Sequence, residues 1–157
     1  MNESTPTCAA DCPRLKWVFR FSVFAQIVLI ALLLFASQPT NYQWQIWLFK
    51  VVGIAVGLWA IVTMGRHINI SPELKENATL RTSGPYRFVR HPMCLALMVF
   101  CSGCVVGSFT AYAVSLWLAL LLVLVLKIYY EERILKRRFS DYEAYARKTK
   151  RLIPFVF

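Results

Sequence analysis

The sequence predicts an all-α membrane protein with four transmembrane helices, a cytoplasmic loop and a C-terminal amphipathic helix. Three observations carry this expectation. Of the 157 residues, 58% are hydrophobic and the mean hydropathy is +0.52, more apolar than a soluble domain of this length usually shows. The apolar residues come in runs with little helical alternation, so each run is apolar all round, the pattern of lipid contact or deep burial. The 18 Lys and Arg residues, against 8 Asp and Glu for a net charge of +10, fall between and after those runs. That placement fits positive-inside topology and attraction to anionic lipid headgroups. It argues against nucleic-acid binding, which would line one soluble face with charge.

The elements follow in order. Residues 1–16 read as a polar N-terminal tail and residues 17–157 as a single integral-membrane domain. The first span covers about 17–36. Arg14, Lys16 and Arg20 stand at its start, as in a signal peptide, but the run is long and no small-x-small site closes it, so it reads as a retained helix. Residues 37–43, with Pro39 and Asn41, form an uncharged turn. The second span covers about 44–64 and carries Gly53 and Gly57 at small-xxx-small spacing, which lets helices approach closely in lipid. Lys50 lies near its start and can snorkel. Residues 65–90 form the long polar loop. Ser71 and Pro72 mark a helix start within it, and Gly84-Pro85 a turn before the next membrane entry. The third span, about 92–109, is short and repeats the small-residue spacing at Gly103 and Gly107; the fourth covers about 113–130. From Glu131 onward, eight basic residues and a stripe of Ile134, Leu135, Phe139, Tyr142 and Tyr145 predict an amphipathic helix on the membrane surface, ended by Pro154.

The two short connections carry no Lys or Arg, whereas both ends and the long loop carry nearly all of them. Four spans with both termini cytoplasmic follow. The glycine faces permit a homodimer. Five cysteines give no closed disulfide framework, and Cys101-Ser-Gly-Cys104 has CxxC spacing but no second pair, so no metal site is expected.

Two polar blocks then stand on one side of the membrane. In the first, Tyr86, Arg87, Arg90 and His91 precede Pro92, where a helix can begin. Its free N–H groups suit an anionic group, Tyr86 and Phe88 offer aromatic surface, and Arg90 can clamp a carboxylate at two points. The plainer alternative makes Arg87 and Arg90 cytoplasmic anchors and His91 an interfacial hydrogen-bonding residue. In the second block, Glu131 and Glu132 follow an apolar helix directly, where a carboxylate opposes the helix dipole. They serve either as a surface ion pair with Lys127 and Arg133 or as a fixed anion for a cationic ligand.

The segment Arg81-Thr82-Ser83-Gly84-Pro85-Tyr86-Arg87-Phe88-Val89-Arg90-His91-Pro92, with Glu131-Glu132 and then Phe139, Tyr142, Tyr145 and Arg151-Leu152-Ile153-Pro154, resembles the C-terminal core of the isoprenylcysteine carboxyl methyltransferases. It is also similar to the phospholipid N-methyltransferases. The likeness covers roughly residues 78–157. It implies S-adenosyl-L-methionine as cofactor, held by Thr79, Leu80, Arg81, Tyr86, His91, Pro92, Met93, Cys94 and Glu131, with Arg90 available to its carboxylate. It implies that Lys127 meets the substrate. Cys94 stands where relatives often have Tyr, and Lys127 where the isoprenylcysteine enzymes have Arg, whose bidentate fork Lys lacks.

The implied chemistry is methyl transfer to a lipophilic acceptor delivered through the membrane: a prenylated target, a lipid, a quinone-like molecule or a small thiol. A carboxylate or thiolate acceptor needs no base; for an amine, His91 or Glu132 would take the proton. Two alternatives belong to other classes. One is an NADPH-dependent membrane reductase of the sterol-reductase type. The other is a non-enzymatic membrane protein whose basic tail binds lipids.

Overall fold

The computed structural model describes residues 13–36, 43–65 and 82–152. Residues 1–12 of the expected tail, 37–42 of the first turn, the helix start at Ser71, Thr79, Leu80, Arg81 and Pro154 lie outside the described residues, whereas 13–16, expected as tail, already belong to the first helix, and Gln43, expected in the turn, opens the second.

The described residues are helical apart from short connections. They form α1 (Pro13–Ala36), α2 (Gln43–Met64), a 3-10 turn (Gly84–Arg87), α3 (Pro92–Ser108), α4 (Ala111–Arg138) and α5 (Tyr142–Lys148). Three segments are long and apolar enough to cross a membrane: Trp17–Ala36, Trp44–Met64 and Ala111–Arg137. The third apolar run is the shorter helix α3, whose 17 residues reach about 25 Å at about 1.5 Å per residue. Pro92 opens α3 at a position where its missing N–H costs nothing. Thr110 caps α4, its hydroxyl accepting from Ala113 N–H at 3.1 Å.

α2 packs along α3, and α1 along α4, with α3 also touching α1 and α4. The core between them holds Leu33, Met98, Cys101, Leu120, Leu124 and Ile128. On α4, Leu120, Leu124 and Ile128 face inward while Leu118, Leu122 and Leu126 are exposed on the opposite side. Phe21, Phe24 and Ile27 of α1 and Trp47, Ile54 and Val62 of α2 are likewise exposed. So broad an apolar exterior is what lipid contact requires and what water opposes.

The glycines expected to serve helix approach do so within one chain. A Cβ on Gly53 would come within 2.8 Å of Ala96 O and Phe100 N. On Gly103 it would meet Phe49 Cβ at 3.0 Å, and on Gly107 Ile46 Cδ1 at 2.7 Å. Both small-residue faces therefore lie within the α2–α3 contact, each meeting other residues of the facing helix.

The largest departure from expectation lies after the fourth apolar run. There is no single amphipathic helix from Glu131 onward. Instead α4 runs unbroken to Arg138, its 28 residues reaching about 42 Å against a hydrocarbon core of about 30 Å. The chain breaks at residues 139–141, makes the two turns of α5 and doubles back as a strap, residues 149–152. Tyr142 and Leu152 are buried inside the protein. Their stripe has a partner in the chain itself, and burial there removes it from water just as well.

Candidate active site

The first wall is built by the loop that enters α3. Gly84 takes φ +60°, the left-handed region that suits glycine, and Pro85 follows it. Phe88 and Val89 N–H both donate to Pro85 O at 3.1 Å, which curls the loop and buries Tyr86. The strap then lies alongside. Arg90 N–H donates to Lys150 O at 2.8 Å, Lys150 N–H to Phe88 O at 3.2 Å and His91 N–H to Arg151 O at 3.1 Å, around a parallel bridge between Val89 and Lys150. Tyr145 adds a pin, its hydroxyl donating to Tyr86 O at 2.7 Å.

The second wall is the far end of α4. Helical spacing puts Lys127 and Glu131 one turn apart on one face, with Lys127 Nζ 3.7 Å from Glu131 Oε1. Lys127 Nζ also lies 5.2 Å from the centre of the Phe19 ring, which shields it on the α1 side. Glu132, a further 100° round the helix, turns inward and is buried.

His91 joins the walls. Its Nδ1 lies 3.3 Å from Glu131 Oε2, and its Nε2 is buried, has no hydrogen bond and stands 3.9 Å from Glu132 Oε1. The adjacent glutamates are held in different ways. Glu132 is engaged at both oxygens, by Arg90 Nη1 at 2.5 Å and Arg151 Nε at 3.0 Å, and its side chain is 5% exposed. Glu131 has looser partners and is 24% exposed. Charge-assisted bonds as short as those on Glu132 fix a carboxylate firmly. Glu131 is the less tightly held and the more accessible of the two.

The structure thus brings Tyr86, Arg90, His91, Glu131, Glu132 and Lys127 to one end of the bundle. Cys94 is buried beneath them, close enough with Glu131 to act on the Tyr86 hydroxyl. Pro92 is fully buried and supports the start of α3, while Met93 is exposed. Arg90, expected as a ligand clamp, spends Nη1 on Glu132 and Nη2 on Thr149 O at 3.2 Å. Glu132, expected as an alternative proton acceptor, is held between two guanidinium groups.

The residues that sequence reasoning missed here are Tyr142, Tyr145, Thr149 and, in its ion pair, Arg151. The signal was present but ambiguous. Aromatic residues at helical spacing beside basic ones fit a membrane surface and an internal strap equally well, and the break at 139–141 separates the two. Tyr142 packs against Arg90 and Glu132. Burial first, then the Glu132 charge, pushes its hydroxyl up to about 12; burial and Tyr142 push Tyr145 up to about 12. Tyr86 is raised by burial, then by Cys94 and Glu131.

A pH prediction follows. A phenol whose folded pKa exceeds its unfolded value of about 10 contributes stability that is full below about pH 10 and is lost as pH rises toward 12. In an alkaline titration, Tyr86, Tyr142 and Tyr145 are expected to form tyrosinate only above the ordinary phenol range, together with loss of the near-ultraviolet circular dichroism. Ionisation of Tyr142 and Tyr145 near pH 10 with the fold intact would contradict the packing of the strap.

Comparison with known proteins gives this geometry a context. The model of a family described as phospholipid methyltransferase matches residues 44–142. The nickel-cobalt-cadmium resistance protein NccN of Alcaligenes xylosoxydans xylosoxydans is 28% identical over 160 aligned positions, spanning 95% of this chain and 72% of its own. The cobalt-zinc-cadmium resistance protein CzcN of Cupriavidus metallidurans is 33% identical over 142 positions, spanning 86% of this chain and 63% of its own. No solved structure matches the chain.

Proposed function

The chain belongs to the phospholipid methyltransferase family, and on that premise we propose that it methylates a lipophilic, membrane-delivered acceptor with S-adenosyl-L-methionine as donor. The observation that carries this reading is the meeting of His91, Glu131 and Lys127, from two separate spans, at one end of the bundle. We place that end at the cytoplasmic face, with four spans and both termini on that side, because the basic residues gather there.

The donor set fits such a cofactor. S-adenosyl-L-methionine carries an ammonium, a carboxylate and a sulfonium. Glu131 is the partly exposed carboxylate suited to the cation, and Tyr86 and Met93 offer an aromatic and a flexible apolar surface. Arg81, Thr79 and Leu80 are assigned to the same cofactor by the resemblance, as are Pro92 and Cys94 at the α3 entrance. When bound, the cofactor supplies an electrophilic methyl group on sulfur.

The protein's own contribution is orientation and exclusion of water. Glu131 holds a positive group in place, and the apolar helix ends limit water at the reacting centre. Lys127, shielded by Phe19, offers a cation to an acceptor's anionic group. An amine acceptor must lose a proton, and the contacts favour His91 over Glu132 for this. His91 Nε2 has no hydrogen bond, whereas both oxygens of Glu132 are engaged.

Family membership supports methyl transfer over the reductase and the non-enzymatic alternatives. The acceptor is left as a lipophilic molecule bearing oxygen, nitrogen or sulfur. The names of the two relatives concern metal resistance; among the described residues, no three His, Cys, Asp or Glu side chains are grouped to hold a metal ion.

Isothermal titration of the detergent-purified protein with S-adenosyl-L-methionine tests the proposal. Saturable binding is expected, followed by radiolabelled methyl transfer into a membrane extract. Absence of binding, alongside saturable NADPH binding, would transfer the assignment to a reductase.

A further inference from the structure

Residues 90 and 151 tie the strap to the loop in a reciprocal way. Arg90 donates from its backbone to Lys150 O and from its side chain to Thr149 O and Glu132. Arg151 accepts from His91 N–H at its backbone carbonyl and donates from its side chain to the other oxygen of Glu132. We propose that Arg151 is a positioning residue of the methyl-transfer site: with Arg90 and Glu132 it forms a clasp that holds the strap against the α3 entrance and so sets His91 beside Glu131. The role in methyl transfer rests on the function proposed above; the clasp itself does not.

Three features support it. First, Glu132 is almost wholly buried with a guanidinium on each oxygen. Removing one partner of such a pair leaves charge poorly compensated, so the clasp responds as a unit. Second, Arg151 is itself 41% exposed. It is not needed to fill the core, a task that falls to its neighbour Leu152, buried in the cluster with Cys94 and Ile128. Third, the strap's backbone hydrogen bonds to the loop are made with Phe88, Arg90 and His91, the residues that lead into α3. Loosening residue 151 therefore reaches His91 directly, through the His91 N–H bond to Arg151 O and through Glu132 beside it. A carboxylate saturated in this way is a structural anion. The division of labour between the glutamates follows: Glu132 fixes the wall, and Glu131 meets the ligand.

The test uses full-length protein in detergent, as wild type, Arg151→Gln and Arg151→Lys. Amide hydrogen exchange over residues 88–95 reads the clasp, and titration with S-adenosyl-L-methionine reads its consequence. Arg151→Gln is expected to raise exchange at Arg90 and His91 about tenfold and to weaken cofactor binding about tenfold, less than a fully buried charge-assisted hydrogen bond would give because Arg151 is partly exposed and screened. Arg151→Lys keeps the charge but not the rigid fork, and is expected to fall between. Wild-type exchange at residues 88–91 in Arg151→Gln would overturn the clasp. Raised exchange with unchanged cofactor affinity, or no recovery by Lys, would overturn the positioning role. A wild type that binds no S-adenosyl-L-methionine would remove the methyltransferase reading and the positioning role with it, while exchange would still judge the clasp.

Discussion

Glu131→Gln is expected to weaken S-adenosyl-L-methionine binding by at least about thirtyfold while leaving the protein folded. The substitution keeps the shape of the side chain and removes its charge. A charge-assisted hydrogen bond to a bound cation contributes about 2 kcal/mol, which corresponds to that factor. The fold is spared because Glu131 is partly exposed and its partners, at 3.3 and 3.7 Å, are loose. Glu132→Gln is the matched comparison. It leaves Arg90 and Arg151 facing an uncharged amide in a buried place, and breaking such a pair typically costs about 3–5 kcal/mol. Titration calorimetry and thermal unfolding in the same detergent should therefore sort the two variants in opposite ways. Equal cofactor affinity in Glu131→Gln and wild type would remove Glu131 from the site.

The second large effect concerns the helix pair that carries the site's entrance. Gly53→Leu is expected to destabilise the protein by more than about 3 kcal/mol, the upper end of what overpacking costs. The reason is the identity of the obstructing atoms. A Cβ at residue 53 lies 2.8 Å from Ala96 O and Phe100 N, which are backbone and cannot rotate aside. α2 and α3 must separate, and close packing is lost along their whole contact. Gly57→Ala is the control. Its Cβ would meet Ala96 Cβ at 3.5 Å, ordinary contact. Replacing a helical glycine gains up to about 1 kcal/mol of helix propensity, so that variant should match or exceed wild type. Unfolding of both in a mixed-detergent titration would decide the matter. Equal stabilities would mean that the glycine face is not a close contact.

Both contrasts show how much of this protein was legible in its sequence. Gly53 and Gly57 share the spacing that marks a helix-approach face, yet only the tertiary arrangement distinguishes the one whose Cβ meets backbone. Glu131 and Glu132 are adjacent and chemically identical. Their different environments come from a 100° step round α4, which aims one at Lys127 and His91 and the other at Arg90 and Arg151. The apolar runs were readable because lipid contact requires uninterrupted apolar length. Which side of each run faces the core was not, because Leu118 and Leu120 carry the same side chain and only neighbouring helices make one exposed and the other buried.

By itself the sequence determined the helical class, the apolar spans and the two polar blocks that meet. Each is written locally, in hydrophobic length, in Pro92 after His91, and in acids placed at the end of an apolar run. The tertiary structure alone decided what the basic, aromatic C-terminal segment does. Its stripe satisfies the pattern of a surface helix, but Tyr142 and Leu152 find a drier place inside the chain, and Arg151 finds a buried carboxylate. Burial and charge pairing act between residues far apart in the chain, so a local pattern could not say whether this segment would pack back against the α3 entrance.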